Sequence, residues 1–238
     1  SIGCGHLPVM VPLKVAVFST GNEVLDPGDS LFEGAIYDSN RYTLMQLLKS
    51  VGCEVVDLGI LKDDPKIISD ALLSATIKYD LILTSGGVST GEEDHVRKVV
   101  ENEGSLLFWR LAIKPGRPVA LGQFNDTVFI GLPGNPVAAM VTFLQIARPI
   151  ILKLSGANDT APKLFSVQSD FSYKKKLHRR EYVRVQINKN GNGKLIAKKY
   201  QREGAGILSS MVFADGFVEL PEDIVNVEKG DFVNYIPF

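Results

Sequence analysis

Residues 80–94 read DLILTSGGVSTGEED. Three apolar residues in a row (Leu81, Ile82, Leu83) lead into Thr84, Ser85, Gly86 and Gly87, and acidic residues follow. A strand that is apolar without alternation suits a parallel sheet covered on both faces. A strand that runs into a Gly-rich turn and then an acidic helix start is one unit of a βαβ fold.

The same grammar extends upstream. Residues 14–19 (KVAVFS) form a β-branched strand ending at the turn signal Thr20-Gly21-Asn22. Leu44, Leu47, Leu48 and Val51 make the stripe of an amphipathic helix over 40–51, with Gly52 as its stop. Residues 53–58 (CEVVDL) are a second strand, and Asp63-Asp64-Pro65 opens a helix with Ile68, Ala71, Leu72 and Ala75 on its apolar side. Downstream, a helix is expected near 94–102, strands at 105–109, 118–122 and 127–131, and a helix from Pro136 to about 154, kinked near Pro149. Alternating strands and helices predict an α/β domain with a mostly parallel sheet flanked by helices. In such sheets ligands bind at the carboxyl ends of the strands.

Beyond residue 155 the character changes. Residues 155–162 (SGANDTAP) have linker composition. Short strand-like runs follow at 164–169, 181–187, 194–199, 217–220 and 231–236, parted by turn signals such as Asn190-Gly191-Asn192-Gly193. They predict a small C-terminal all-β domain, a barrel or sandwich.

Composition bounds the function. The chain has 238 residues, 45% hydrophobic and 22% charged, with a formal net charge of -1. These values exclude a disordered, collagen-like or disulfide-scaffold chain and give no reason to expect nucleic acid or a membrane as partner. Cys4 and Cys53 are far apart, which argues against structural zinc and fits a reducing cytoplasm. No apolar run is read as reaching the length of a membrane span. The neutrality hides segregation. Residues 163–202 hold 12 Lys or Arg and 2 acids, whereas 203–238 hold 7 acids and 1 Lys. The basic run reads either as a solvated face or partner surface, or as an oxyanion site.

Several loops carry chemistry. In 84–94, Gly86 and Gly87 permit close backbone approach, while Ser85, Ser89 and Thr90 add hydroxyl donors for an anion. Glu92, Glu93 and Asp94 can hold Mg²⁺ that bridges to phosphate, or simply favour a helix start. KPGRP at 114–118 is a stiff turn bearing Lys114 and Arg117, and GLPGNP at 131–136 is a second rigid strand-to-helix turn. Glu23 in FSTGNE, Asp38 in IYDSN and Asp63 complete the set, although Asp38, Ser39 and Asp63 read equally well as helix caps. His6, His95 and His178 lack metal-ligand spacing, and neither a GxSxG elbow nor a GxxxxGK[ST] loop is present.

Taken in order, FSTGNE, IYDSN, LGILKDDP, TSGGVSTGEED, LAIKPGRP and GLPGNPVAA closely resemble the molybdopterin molybdenumtransferase family, which includes bacterial MoeA and the E domain of gephyrin. The resemblance implies that residues 13–155 are the molybdopterin-binding α/β domain and 163–238 a C-terminal β-barrel. Residues 1–12 would then end a further N-terminal region through which the whole protein forms a homodimer. It implies a cytoplasmic enzyme of molybdenum cofactor biosynthesis that uses Mg²⁺ to insert molybdate into adenylated molybdopterin, releasing AMP. Protein partners of that pathway are a further implication. Molybdopterin adenylyltransferase, or a gephyrin-like non-enzymatic scaffold, is the alternative.

Matched motif by motif, Asp63, Asp94, Glu23 and Lys114 correspond to catalytic groups, with Asp63 and Asp94 also on the metal. Thr20, Gly21, Asp38, Asn40, Ser85, Gly86, Gly87, Ser89, Arg110, Gly116, Pro133, Gly134, Asn135 and Pro136 correspond to the cofactor-binding loops. Arg179 and Ser209 correspond to molybdate contacts. The chain departs from the pattern where the family has Gly before Arg179, here His178, and where it has a serine, here Ala205 and Gly206.

Overall fold

The computed structural model describes residues 3–88, 95–202 and 204–238. In chain order it runs β1 (Lys14–Thr20), β2 (Val24–Leu25), β3 (Ile36–Tyr37), α1 (Asn40–Ser50), β4 (Glu54–Leu61), α2 (Pro65–Thr76), β5 (Leu81–Ser85), α3 (His95–Glu103), β6 (Ser105–Arg110), β7 (Ile113–Lys114), β8 (Pro118–Phe124) and β9 (Thr127–Leu132). A long helix follows in three pieces: α4 (Pro136–Thr142), a π turn over Phe143–Ala147, and α5 (Arg148–Leu154). Six strands form one sheet in the order β4-β1-β5-β9-β8-β6. The first four are parallel, β8 is antiparallel to β9, and β6 is antiparallel to β8, so only β8 runs against the rest. Only Asn125 and Asp126 join β8 to β9. Two residues close a hairpin but cannot carry a parallel crossover.

The parallel strands are buried on both sides. Ala16, Phe18 and Ile82 meet Ile68 and Leu72 of α2 and Val96 and Val100 of α3. Val15, Val17, Leu81 and Leu83 meet Leu44 and Leu48 of α1 and Phe143, Ala147 and Ile151 of the long helix. Strand β4 extends three residues past the expected end. Its pairing with β1 slips by one position between Val17 and Ser19, and Gly59 takes a φ of +77° in that slip.

Residues 136–154 correct one reading. This helix of 19 residues has the length and composition to cross a membrane. Its apolar character is accounted for by two cores, since Phe143 and Ile151 face the sheet while Val137 and Val141 face the second domain. The irregularity precedes Pro149. Lacking an N–H, that proline cannot bond the carbonyl four residues back, and the preceding turn widens to a π turn.

The second unit comprises β10 (Phe165–Ser169), β11 (Tyr173–Lys174), β12 (Arg180–Lys189), β13 (Leu195–Lys199), α6 (Ser209–Phe213), β14 (Gly216–Leu220), β15 (Asn226–Val227) and β16 (Phe232–Pro237). The order β13-β10-β16-β14-β12, with β12 also paired to β13, closes a five-stranded barrel around Val167, Val185, Val218 and Leu220. Strand β7 of the first unit joins it in parallel, placing Ile113 beside Arg180 and Lys114 beside Glu181. A shared core of Val137, Val141, Tyr182, Met211, Phe217 and Ile236 seals the junction.

Part of the basic run is neutralised by the acidic tail that follows it. Arg180 is gripped by both carboxylate oxygens of Glu222 at 3.0 Å and lies 3.4 Å from Glu219. Hydrogen bonding to Glu222 raises its already high pKa further. Lys229 pairs with Asp170, and the buried Lys175 donates to three backbone carbonyls, those of Lys176, Arg179 and Glu222.

His178 stands where the family pattern has Gly, and its φ is +62°. A side chain in that region costs about 1 kcal/mol. His178→Gly is therefore expected to raise stability by up to ~1 kcal/mol, read as a higher urea midpoint at unchanged m-value. Glu181, buried at the junction, yields a second expectation. Burial pushes its carboxyl up, but the Tyr173 hydroxyl, Arg179 and Lys114 outweigh that and hold it below the usual range. A depressed carboxylate stabilises fully above its unfolded pKa, and the contribution is lost as pH falls through the folded value. Thermal melts of Glu181→Gln should thus decline less steeply than wild type below about pH 4.

Candidate ligand cleft

The carboxyl ends of β1, β4, β5 and β9 share one rim, as parallel pairing requires, and a cleft of about 720 Å³ opens there. From β1 it receives Thr20, Gly21 and Glu23; from the start of α1, Asp38 and Asn40; and from the end of β4, Asp63. From β5 come Ser85, Gly86 and Gly87, and from β9 Pro133, Gly134, Asn135 and Pro136. These thirteen expected site residues are brought together. Ser89 and Asp94 lie outside the described residues.

The backbone sets the shape of the rim. Gly86 and Gly87 have φ of +92° and +65°. A Cβ on Gly86 would stand 2.8 Å from the Thr20 carbonyl oxygen, and one on Gly87 would stand 2.4 Å from a Val96 methyl. Any side chain there would push β1 and the β5 loop apart. Asn40 then ties three loops, its amide donating to Ser85 Oγ and to Gly134 O, each at 2.7 Å. Ser85 Oγ donates in turn to Pro133 O at 3.3 Å.

Environment divides the carboxylates. Asp64, not Asp63, caps α2, accepting from the backbone N–H groups of Lys66 at 2.9 Å and Ile67 at 3.1 Å. Asp63 is thereby left facing the cleft, where it accepts from Thr20 Oγ1 at 3.4 Å. Asp38 is buried and accepts from the Arg41 N–H at 3.0 Å, so it does support the helix start. Arg41 escaped the sequence reading. It is only 2% exposed and meets Asp26, Asp57 and Asp38 from three different segments. Burial disfavours its charge, yet Asp57, Asp38 and Asp26 together raise its pKa. The signal was available: Arg41, Leu44 and Leu48 share the i, i+3, i+7 stripe of α1, so a charge there had to be buried and paired.

Lys114 and Gly116 lie elsewhere, in a crevice of about 300 Å³ between the domains. Pro118, Pro133 and Asn135 line both this crevice and the cleft, so the two adjoin. Arg110 and Arg179 line a third hollow, of about 510 Å³, which also includes Lys114 and Gly116. Glu181, 1% exposed, lines the crevice beside Lys114 and is a second residue the sequence reading missed. It accepts from Tyr173 Oη at 2.7 Å and Arg179 Nε at 2.9 Å, and lies 3.3 Å from Lys114 Nζ.

Ser209 is exposed at the first turn of α6 and is not among the residues lining these hollows. The barrel reaches the cleft just upstream instead. Ala205 O accepts from Val137 N at 3.0 Å, and Gly206 and Leu208 line the cleft. Arg184 holds this segment through Gly204 O at 3.0 Å and Ser210 Oγ at 2.6 Å. Among the described residues no group of three or more His, Cys, Asp or Glu side chains gathers to hold a metal.

Comparison with known proteins agrees with this architecture. Residues 16–153 match the family described as "Probable molybdopterin binding domain", and 166–238 match "MoeA C-terminal region (domain IV)". A molybdopterin molybdenumtransferase of Haemophilus influenzae is 39% identical over 239 residues, covering 100% of this chain and 59% of its own length. The molybdenum cofactor synthesis protein cinnamon of Drosophila melanogaster is 34% identical, covering 91% of this chain and 36% of its own. Two structures of the molybdopterin biosynthesis protein MoeA from Pyrococcus horikoshii superpose with TM-scores of 0.79 and 0.76 at 28% identity. They cover 95% and 96% of this chain and 54% of each of theirs. The chain spans little more than half the length of these two MoeA structures and of the Haemophilus protein. With one match across the α/β sheet and the other across the barrel, the chain belongs to the MoeA family of molybdenum cofactor biosynthesis.

Proposed function

We propose that this chain forms the molybdopterin-binding domain (13–155) and C-terminal barrel (163–238) of a cytoplasmic, homodimeric molybdopterin molybdenumtransferase. The enzyme inserts molybdate into the dithiolene of adenylated molybdopterin and releases AMP. The observation that carries the reading is the adjacency of two chemically different spaces: a cleft bordered by carboxylates and Gly-rich loops, and a cation-lined crevice at the domain junction.

The division of labour follows from charge. An adenylated dithiolene pterin is a polyanion, and backbone N–H groups of glycine-rich loops are suited to its phosphates. Glu23 and Asp63 line the same cleft and form no ion pair among the described residues. Mg²⁺ takes one or two carboxylates plus substrate phosphate, and Asp63 together with Asp94 would meet that demand, leaving Glu23 as a further acid of the cleft. Bound there, the ion would neutralise phosphate charge. Molybdate is itself an anion, and its approach to two thiolates calls for fixed cations at the junction, the role given to Lys114, Arg179 and Arg110. Gly116 gives the KPGRP turn its shape: its φ is +105°, and a Cβ would stand 2.4 Å from a Thr142 methyl.

Two outcomes test this. In the full-length protein supplied with Mg²⁺, molybdate and adenylated molybdopterin, Asp63→Ala should slow AMP release by about 10²-fold or more. Unchanged release would remove Asp63 from the mechanism. Asn40→Ala cuts the tie between the α1, β5 and β9 loops, so it should raise KM and lower stability by about 1–2 kcal/mol. Calorimetry beside steady-state kinetics separates the two effects.

A further inference from the structure

Lys114 and Arg179 come from different domains and carry like charge, yet both point at one spot. Lys114 follows the first-domain strand β6 and pairs in the parallel β7–β12 ladder, whereas Arg179 immediately precedes barrel strand β12. Both side chains are substantially solvent-exposed, at 47% for Lys114 and 31% for Arg179. Long exposed cations repel each other and gain rotamer entropy by swinging apart. What opposes this is the Glu181 carboxylate, 1% exposed, with Oε1 on Arg179 and Oε2 shared by Lys114 Nζ and Tyr173 Oη. Tyr173 Oη also receives Lys114 Nζ at 3.2 Å, and the Tyr173 ring lies under both Lys114 and Lys199. Each Glu181 oxygen therefore already has a partner inside the protein. A carboxylate so engaged has little capacity to take a ligand donor of its own, and its effect is on where the two cations stand.

We infer that Glu181 is the positioning residue of an oxyanion site at the domain junction, converging Lys114 and Arg179 on one tetrahedral oxyanion such as molybdate. The inference rests on the proposed function for the oxyanion itself; the role of Glu181 in the site is the addition. It makes a prediction opposite in sign to simple electrostatics. Removing a negative charge next to an anion site should tighten anion binding if charge alone mattered. If Glu181 sets the geometry, its removal weakens binding, because the cations must then be ordered at the ligand's expense.

The experiment is equilibrium dialysis of the protein against sodium molybdate at fixed ionic strength, with bound molybdenum read by mass spectrometry. Wild type, Glu181→Gln, Lys114→Ala and the double variant are compared, each first checked for native circular dichroism. Glu181→Asp is included as a shorter carboxylate. Glu181→Gln keeps the side chain's shape and is expected to bind molybdate about tenfold more weakly, with Glu181→Asp in between. In the Lys114→Ala background the same substitution should cost distinctly less, since one of the two cations it positions is already gone. A purely structural role would give the same loss in both backgrounds, and equal or tighter binding by Glu181→Gln would also overturn the inference. If wild type shows no saturable binding, the oxyanion reading itself falls and takes this with it, which sets that failure apart from the other two.

Discussion

The approach of two backbones at the top of the parallel sheet conditions everything else in the cleft. The β5 loop passes so close to the end of β1 that a single methyl on Gly86 would collide with the Thr20 carbonyl. Closeness there sets the spacing of the neighbouring loops. Asn40 can reach both Ser85 and Gly134 at 2.7 Å only because β1, β5 and β9 end level with one another. The glycines are thus less a flexible lid than a clearance condition, and the hydrogen bonds fix what that clearance permits.

The second governing constraint is that one helix serves two cores. Residues 136–154 press Phe143 and Ile151 onto the sheet and Val137 and Val141 onto the barrel. With β7 laddered onto β12, this makes the domain junction a packed seam instead of a linker-joined contact. A seam of that kind can hold charged groups at fixed separation, because the elements carrying Lys114 and Glu181 are hydrogen-bonded neighbours in register. It also explains how the barrel, remote in sequence, contributes Gly206 and Leu208 to a cleft built mainly by the first domain.

Much of this was legible in the sequence, for reasons that can be stated. DLILTSGG read as a central parallel strand because burial on two faces leaves no alternation, and the strand is buried throughout. The five barrel strands were marked by turn residues, as at Asn190, whose side chain accepts from the backbone of Asn192 and Lys194. What stayed hidden was long-range. Nothing in the local pattern says that Arg180 will meet Glu222, that β7 will add to the barrel, or that the carbonyl of Ala205 will receive Val137 N. Basic and acidic segments that look like separate solvated faces in the sequence become partners once the chain folds back on itself. The long helix over 136–154 was expected, but not its double duty: a helix that feeds two cores acquires the length and composition of a membrane span.

The acids around the cleft show why residue type is a weak guide to role. Asp38, Asp63 and Asp64 are the same side chain within 27 positions, yet each meets a different field. Asp64 lies at the amino end of α2, where unsatisfied N–H groups draw its oxygens inward and occupy them. Asp38 lies beside a buried guanidinium, where its charge is the condition for keeping Arg41 in the core. Asp63 is denied the cap by its neighbour and, facing the cleft with a single long side-chain contact among the described residues, to Thr20, retains acceptor capacity. Because Pro65 fixes where α2 begins, it also decides which aspartate caps and which remains for the ligand. The chemistry assigned to Asp63 therefore originates one residue outside the cleft, in the backbone of a helix start.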